Sequence, residues 1–285
     1  MKTSSLKIYE IKEEATQSSF KIAPERGGMI TSLILHGQEC LYMDEESLHD
    51  EKRNVRGGIP VLFPICDRLR GNRYKHKGKT YTMYNHGFAR NLPWTIEEIN
   101  FDTQSITLSL ESGYETKRQY PFDFKLTFQY TLKKGKLQIR QQYKNLSDDH
   151  LPFYAGFHPY FNVDHKVIEV KTDATKYFDV NDGKEKTVTG TFDLTETKEA
   201  LTLLNSEQGH IRFPMNAQYD LMLWMGKEFR FITLWSEPGK DYVCVEPWMA
   251  RPNAMNTKDY LHQILQDREM NTYFEVGLVE KGGNS

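Results

Sequence analysis

FDFKLTFQYTL, residues 122–132, sets Phe122, Phe124, Leu126, Phe128, Tyr130 and Leu132 in alternation with Asp123, Lys125, Thr127, Gln129 and Thr131. Successive strand side chains point to opposite faces, so a strict period of two reads as a strand with one buried face. The KKGK that follows (Lys133 to Lys136) is a glycine-containing turn, and LQIRQQY returns with Leu137, Ile139 and Gln141 on one face, which predicts a hairpin. Upstream, WTIEEI runs through Asn100 to Thr103 into SITLSLES and predicts a second hairpin. Further short strands read as MITSLIL, CLYM after the His36-Gly37 turn, LMLWM, FITLW, YVCVEPW and YFEVGLV. Many short strands with turns every 8 to 12 residues or so indicate antiparallel sheets packed as a sandwich or barrel.

Helical patterning is scarce. DEESLHDEKR and KDYLHQILQ are the two candidates, and the βαβ alternation of nucleotide-binding folds is absent. A chain of 285 residues is long enough for two small domains or one large β-sandwich. With no Pro-, Ser- or Gly-rich linker and no charge block, one domain over 1–285 is the economical reading, with a disordered tail from about residue 280 that ends in KGGNS.

Thirty-seven basic and 39 acidic residues are intermixed for a formal charge of −2, so no field is present to attract nucleic acid or an anionic membrane. A small ligand suits this surface better. Cys40, Cys66 and Cys244 are odd in number and form no CxxC pair, which argues against a disulfide framework or a zinc site. The N-terminus lacks the apolar core of a signal peptide and no later run approaches a membrane span, so a soluble cytoplasmic protein is expected. Sixteen Tyr, 16 Phe and 4 Trp suit strands and also suit stacking against sugar rings.

Four stretches break the strand grammar by concentrating Gly, Pro, His, Arg and aromatics: RGGIPVLFP (Arg56 to Pro64), CDRLRGN with NHGFARN (Cys66 to Asn91), GFHPYFN (Gly156 to Asn162) and CVEPW (Cys244 to Trp248). In the first, the glycine pair permits backbone conformations closed to other residues, either for a binding loop or for a tight bulge at a sheet rim. His158 lies between a strand break and a proline, where a side chain can be aimed into a cleft. Glu246 ends the apolar run Tyr242 to Val245 beside Trp248, where partial burial would raise its pKa and suit it to general-base work. Each has a structural alternative, a core histidine or a surface salt bridge. No HxH or HExxH spacing, Walker loop, Rossmann fingerprint or GxSxG elbow occurs, so the expected chemistry is proton transfer without metal or cofactor.

In this order the four segments resemble the aldose 1-epimerase (galactose mutarotase) family, close to its glucose-6-phosphate 1-epimerase branch, from about Phe20 to about Val279. The resemblance implies an all-β fold, a large antiparallel β-sandwich of the galactose mutarotase-like supersandwich type. It implies His158 as general acid and Glu246 as general base for interconversion of α and β anomers. It implies Arg68, His86 and, more loosely, Asp220 as sugar-binding residues, and Arg56 and Arg90 as contacts to a 6-phosphate. GFHPYF is closer to the free-sugar mutarotases, which leaves sugar and sugar phosphate both open as the partner of a monomer or homodimer. A non-catalytic carbohydrate-binding or sensing protein on the same fold is the alternative function. A sandwich-fold hydrolase or lyase is disfavoured because no pair of catalytic carboxylates stands out.

Overall fold

The computed structural model describes residues 6–282. Two large antiparallel sheets dominate, one of seven strands and one of eight, beside a four-stranded N-terminal sheet from Tyr9–Glu13 to Gln38–Glu39. The predicted hairpin is strands Phe124–Lys133 and Lys136–Asn145, in register from Phe124 opposite Asn145 to Lys133 opposite Lys136. It forms the middle of the seven-stranded sheet, with Thr95–Asn100 and Ser105–Glu111, the second predicted hairpin, on one side. Glu269–Glu280, Tyr219–Met225 and His210–Pro214 extend the other side.

Phe124, Leu126, Phe128, Tyr130 and Leu132 are buried as their alternation requires, and the intervening polar residues face outward. The eight-stranded sheet covers this apolar face. Phe157 from that sheet stacks on Phe274 with ring centroids 5.0 Å apart and reaches Phe128 at 6.2 Å, so aromatic rings join the two sheets. Aligned sheets with interdigitating inner faces make a sandwich core.

The two helix expectations fare differently. DEESLHDEKR holds one short helix, Glu45–His49, whose Asp44 accepts the backbone N–H groups of Glu46 and Ser47. KDYLHQILQ is not helical. Lys258, Tyr260 and Asp267 take left-handed backbone conformations, and His262–Ile264 pairs as a strand with Leu151–Phe153, so tertiary pairing overrides the local helical spacing. At the C-terminus the strand continues to Glu280 and the Lys281 N–H donates to the Gln218 carbonyl. The part of the expected tail at 283–285 lies outside the described residues.

Candidate functional site

The site is built on the outer face of the eight-stranded sheet. In strand Tyr242–Trp248, Val243 and Val245 point into the sandwich core, which leaves Tyr242, Cys244, Glu246 and Trp248 on the opposite face. The next strand, Phe231–Trp235, sets Thr233 opposite Glu246 and Trp235 opposite Cys244. Thr202 follows across the next pairing, its hydroxyl 3.1 Å from that of Thr233.

His158 enters from an interruption. Gly156–Phe157 and Tyr160–Asn162 both pair with strand Tyr242–Trp248, and between them the His158 N–H leaves the ladder and donates to the Pro60 carbonyl at 3.1 Å. Phe157 fills the core, so alternation sends His158 to the outer face. Gly156 must lack a side chain, since a Cβ there would lie 2.8 Å from Trp248 Cδ1 and 2.9 Å from the Pro247 carbonyl oxygen. The Gly pair of RGGIP is likewise conformational: Gly58 has φ of +64°, and a Cβ on it would meet the Ile30 carbonyl oxygen at 2.2 Å.

His158, Thr202, Thr233, Trp235, Glu246 and Trp248 line a cavity of about 750 Å³ that also holds Arg56, Asp67, Arg68 and His86. On its floor His158 Nε2 lies 3.4 Å from Glu246 Oε1, and the two residues are only 7% and 2% exposed. The other Glu246 oxygen accepts the Trp248 indole N–H at 3.2 Å. His86 meets His158 edge to face at 5.4 Å. Its Nδ1 accepts the Asp67 backbone N–H at 2.9 Å, so the proton of the neutral ring sits on Nε2. Arg68 stands at the mouth, 3.3 Å from Asp67 and 3.6 Å from Glu199. Arg56 lies over the Trp235 ring at 5.6 Å, and Arg90 is fixed by donating to the Asn85 carbonyl at 3.1 Å.

Burial sets the electrostatics. It lowers the His158 pKa to about 3, with Arg90 and Arg56 adding repulsion, and it lowers that of His86 for the same reasons. It raises Glu246 well above the ordinary carboxylate range, helped by the Asp67 charge and opposed by the Trp248 hydrogen bond and Arg90. Asp67 is also raised by burial, against the pull of Arg68. Arg90 is desolvated enough for its guanidinium to fall to about 10. Both shifts favour the uncharged forms of the pair, the neutral imidazole and the protonated carboxyl.

Six of the seven residues singled out in the sequence converge here; Asp220 does not. It belongs to strand Tyr219–Met225 of the seven-stranded sheet, where its carboxylate accepts from Arg212 at 2.7 Å and lies 3.4 Å from Lys281. That carboxylate is neutralised locally, in a separate hollow. Asp67 was missed although its segment stood out, because only its left-handed backbone, φ of 59°, turns it into the cleft. Arg26 was also missed. It is buried and donates to the carbonyls of Ser47, Leu48, Asp50 and Arg53, and Ser47 Oγ accepts the Arg56 N–H at 2.9 Å, so Arg26 anchors the segment that carries Arg56.

The family model described as aldose 1-epimerase matches residues 7–256. The LacX proteins of Lactococcus lactis are 31% identical over 160 residues, 54% of this chain and 50% of theirs, so the match spans half the length of those relatives. An Escherichia coli protein provisionally named as a glucose-6-phosphate 1-epimerase is 26% identical over 242 residues, 78% of this chain and 76% of that protein. Among solved structures, Slr1438 from Synechocystis superposes with a TM-score of 0.93 at 32% identity, covering 98% of this chain and 97% of that one. A galactose mutarotase related enzyme from Lactobacillus acidophilus shares the fold, with a TM-score of 0.81 at 23% identity over 96% of this chain and 97% of its own. The family match and the shared antiparallel sandwich agree, and the chain belongs to the aldose 1-epimerase family.

Proposed function

We propose that this protein interconverts the α and β anomers of an aldohexose or its 6-phosphate by opening and reclosing the pyranose ring. The observation that carries the reading is one imidazole and one carboxyl 3.4 Å apart, buried at the foot of a cleft lined by hydrogen-bonding and aromatic side chains.

The neutral pair holds one transferable proton. Moving it from Glu246 to His158 gives carboxylate and imidazolium without exchange with solvent. Glu246 then takes the proton of the anomeric hydroxyl, C1=O1 forms, the C1–O5 bond breaks, and His158 protonates O5. Rotation about C1–C2 presents the other carbonyl face. On closure O5 attacks C1 and returns its proton to His158, Glu246 reprotonates O1, and the pair is restored. Arg68 and His86 bind hydroxyls and hold the rest of the sugar still.

Two arginines favour a phosphorylated sugar. Arg68 pairs with Asp67 and Glu199, and Arg251 with Glu185, whereas Arg56 and Arg90 form no ion pair among the described residues. Two unpaired guanidinium groups beside the acid and base suit a phosphate. The test is anomer exchange of glucose and glucose 6-phosphate followed by NMR, with Arg56→Ala combined with Arg90→Ala. The expected outcome is a loss of at least about tenfold more on the phosphate ester than on glucose. Equal losses on both substrates contradict the phosphate reading, and sugar binding without any exchange favours a non-catalytic binding protein.

A further inference from the structure

Cys244 has no part in the proton transfers above, yet it shares the face of its strand with Glu246 and lies opposite Tyr160 and Trp235. Its sulfur, one nitrogen of His158 and one oxygen of Glu246 all fall within 4.8 Å of one another, and all three residues are buried. We propose that His158, Glu246 and Cys244 form a binding site for a thiophilic divalent cation such as Zn²⁺, which occupies the acid and the base together and stops catalysis.

Geometry supports this. Zinc–nitrogen and zinc–oxygen bonds of about 2.0–2.2 Å at a tetrahedral angle set an N···O edge of about 3.4 Å. His158 Nε2 and Glu246 Oε1 stand 3.4 Å apart. A tetrahedral edge to sulfur is about 3.6 Å, so the thiol closes on the pair by roughly 1 Å, within the reach of a side-chain adjustment. His158 and Glu246 line the cleft, so a fourth ligand, water or a substrate oxygen, would come from that side.

The charges balance as well. A divalent ion with one thiolate, one carboxylate and a neutral imidazole is neutral overall. Arg56 and Arg90 repel a free cation, but they also favour the neutral imidazole and the two anionic ligands, and Asp67 offsets part of their charge. The Cys244 thiol and the Glu246 carboxyl each release a proton to solvent on binding, so affinity rises with pH.

The inhibitory half of the proposal rests on the epimerase reading; the binding half does not. Chelator-treated protein is titrated with Co²⁺ and the thiolate-to-cobalt charge-transfer absorption is recorded beside anomer exchange. The expected result is a band that grows as exchange is lost, with EDTA reversing both. Cys244→Ser and Cys244→Ala lose the band and need more than about tenfold more metal for the same inhibition, while keeping exchange activity, which also shows that they are folded. No band with the wild-type protein, a band that survives in both variants through Cys40 or Cys66, or activation by the metal would overturn the proposal. A cobalt–thiolate band with no exchange of any sugar would leave the metal site standing and defeat the epimerase reading.

Discussion

The outer faces of the two large sheets obey the same alternation and end in opposite chemistry. On the seven-stranded sheet, Thr127, Gln129, Gln138, Arg140 and Gln142 point outward: Arg140 donates to Gln138 at 2.8 Å, and Gln142 donates to Glu269 at 3.2 Å. On the eight-stranded sheet, Thr202, Thr233, Glu246 and Trp248 are buried beneath segments that bring in Asp67, Arg68, His86 and Glu199. Strand grammar places polar groups on both faces. Only desolvation by the covering segments turns one set into groups with displaced pKa values.

The contrast can be broken most severely from beneath the cleft. Gly156→Ala drives a methyl into Trp248 and the Pro247 carbonyl, and is expected to cost about 1–3 kcal/mol in denaturant unfolding and to displace the Glu246 partner Trp248. Wild-type stability with unchanged exchange activity would show that the strand break relaxes freely.

A smaller effect comes from the buried carboxyl. Its folded pKa is raised, so its contribution to stability is full below the unfolded value of 4.5 and is lost as pH rises through the folded value. Glu246→Gln does not titrate, and its Tm relative to wild type is expected to climb as pH rises above 4.5. His158 has the opposite sign. With its pKa lowered from 6.5 to about 3, its contribution is present above 6.5 and disappears as pH falls toward about 3. A pH-independent Tm difference for Glu246→Gln would mean that the carboxyl ionises freely. The smallest effect lies on the other sheet, where Gln142→Ala should change stability by no more than about 0.5 kcal/mol and leave exchange untouched.

The hairpin at the middle of the solvated face was legible in the sequence because FDFKLTFQYTL repeats every two residues and its turn is local, while the edge strand His210–Pro214 was not read. The chemical face was legible only as interruptions. Gly156 and Pro159 flanked the interruption that carries His158, whereas Pro247 stays inside strand Tyr242–Trp248 opposite Ile232, so Glu246 is not at a strand end, and the 3.4 Å approach of His158 and Glu246 depends on two short segments pairing with the same distant strand. Spacing carries no record of that pairing. The same gap explains Asp220, assigned to the sugar site from a loose match although its strand belongs to the other sheet, and Asp67, passed over between Cys66 and Arg68 because its direction is set by one left-handed residue. The failed helix at KDYLHQILQ shows the limit from the other side, where Leu261 and Ile264 have helical spacing but pair or pack through tertiary contacts.

The measurement closest to the centre of this account is polarimetry of freshly dissolved α-glucose and α-glucose 6-phosphate with wild type, His158→Ala and Glu246→Gln, each first shown by thermal unfolding to be folded. The account predicts a fall of about two to four orders of magnitude in exchange rate for either variant, with sugar binding retained. Exchange at the wild-type rate in either variant would contradict the assignment of the buried pair as acid and base.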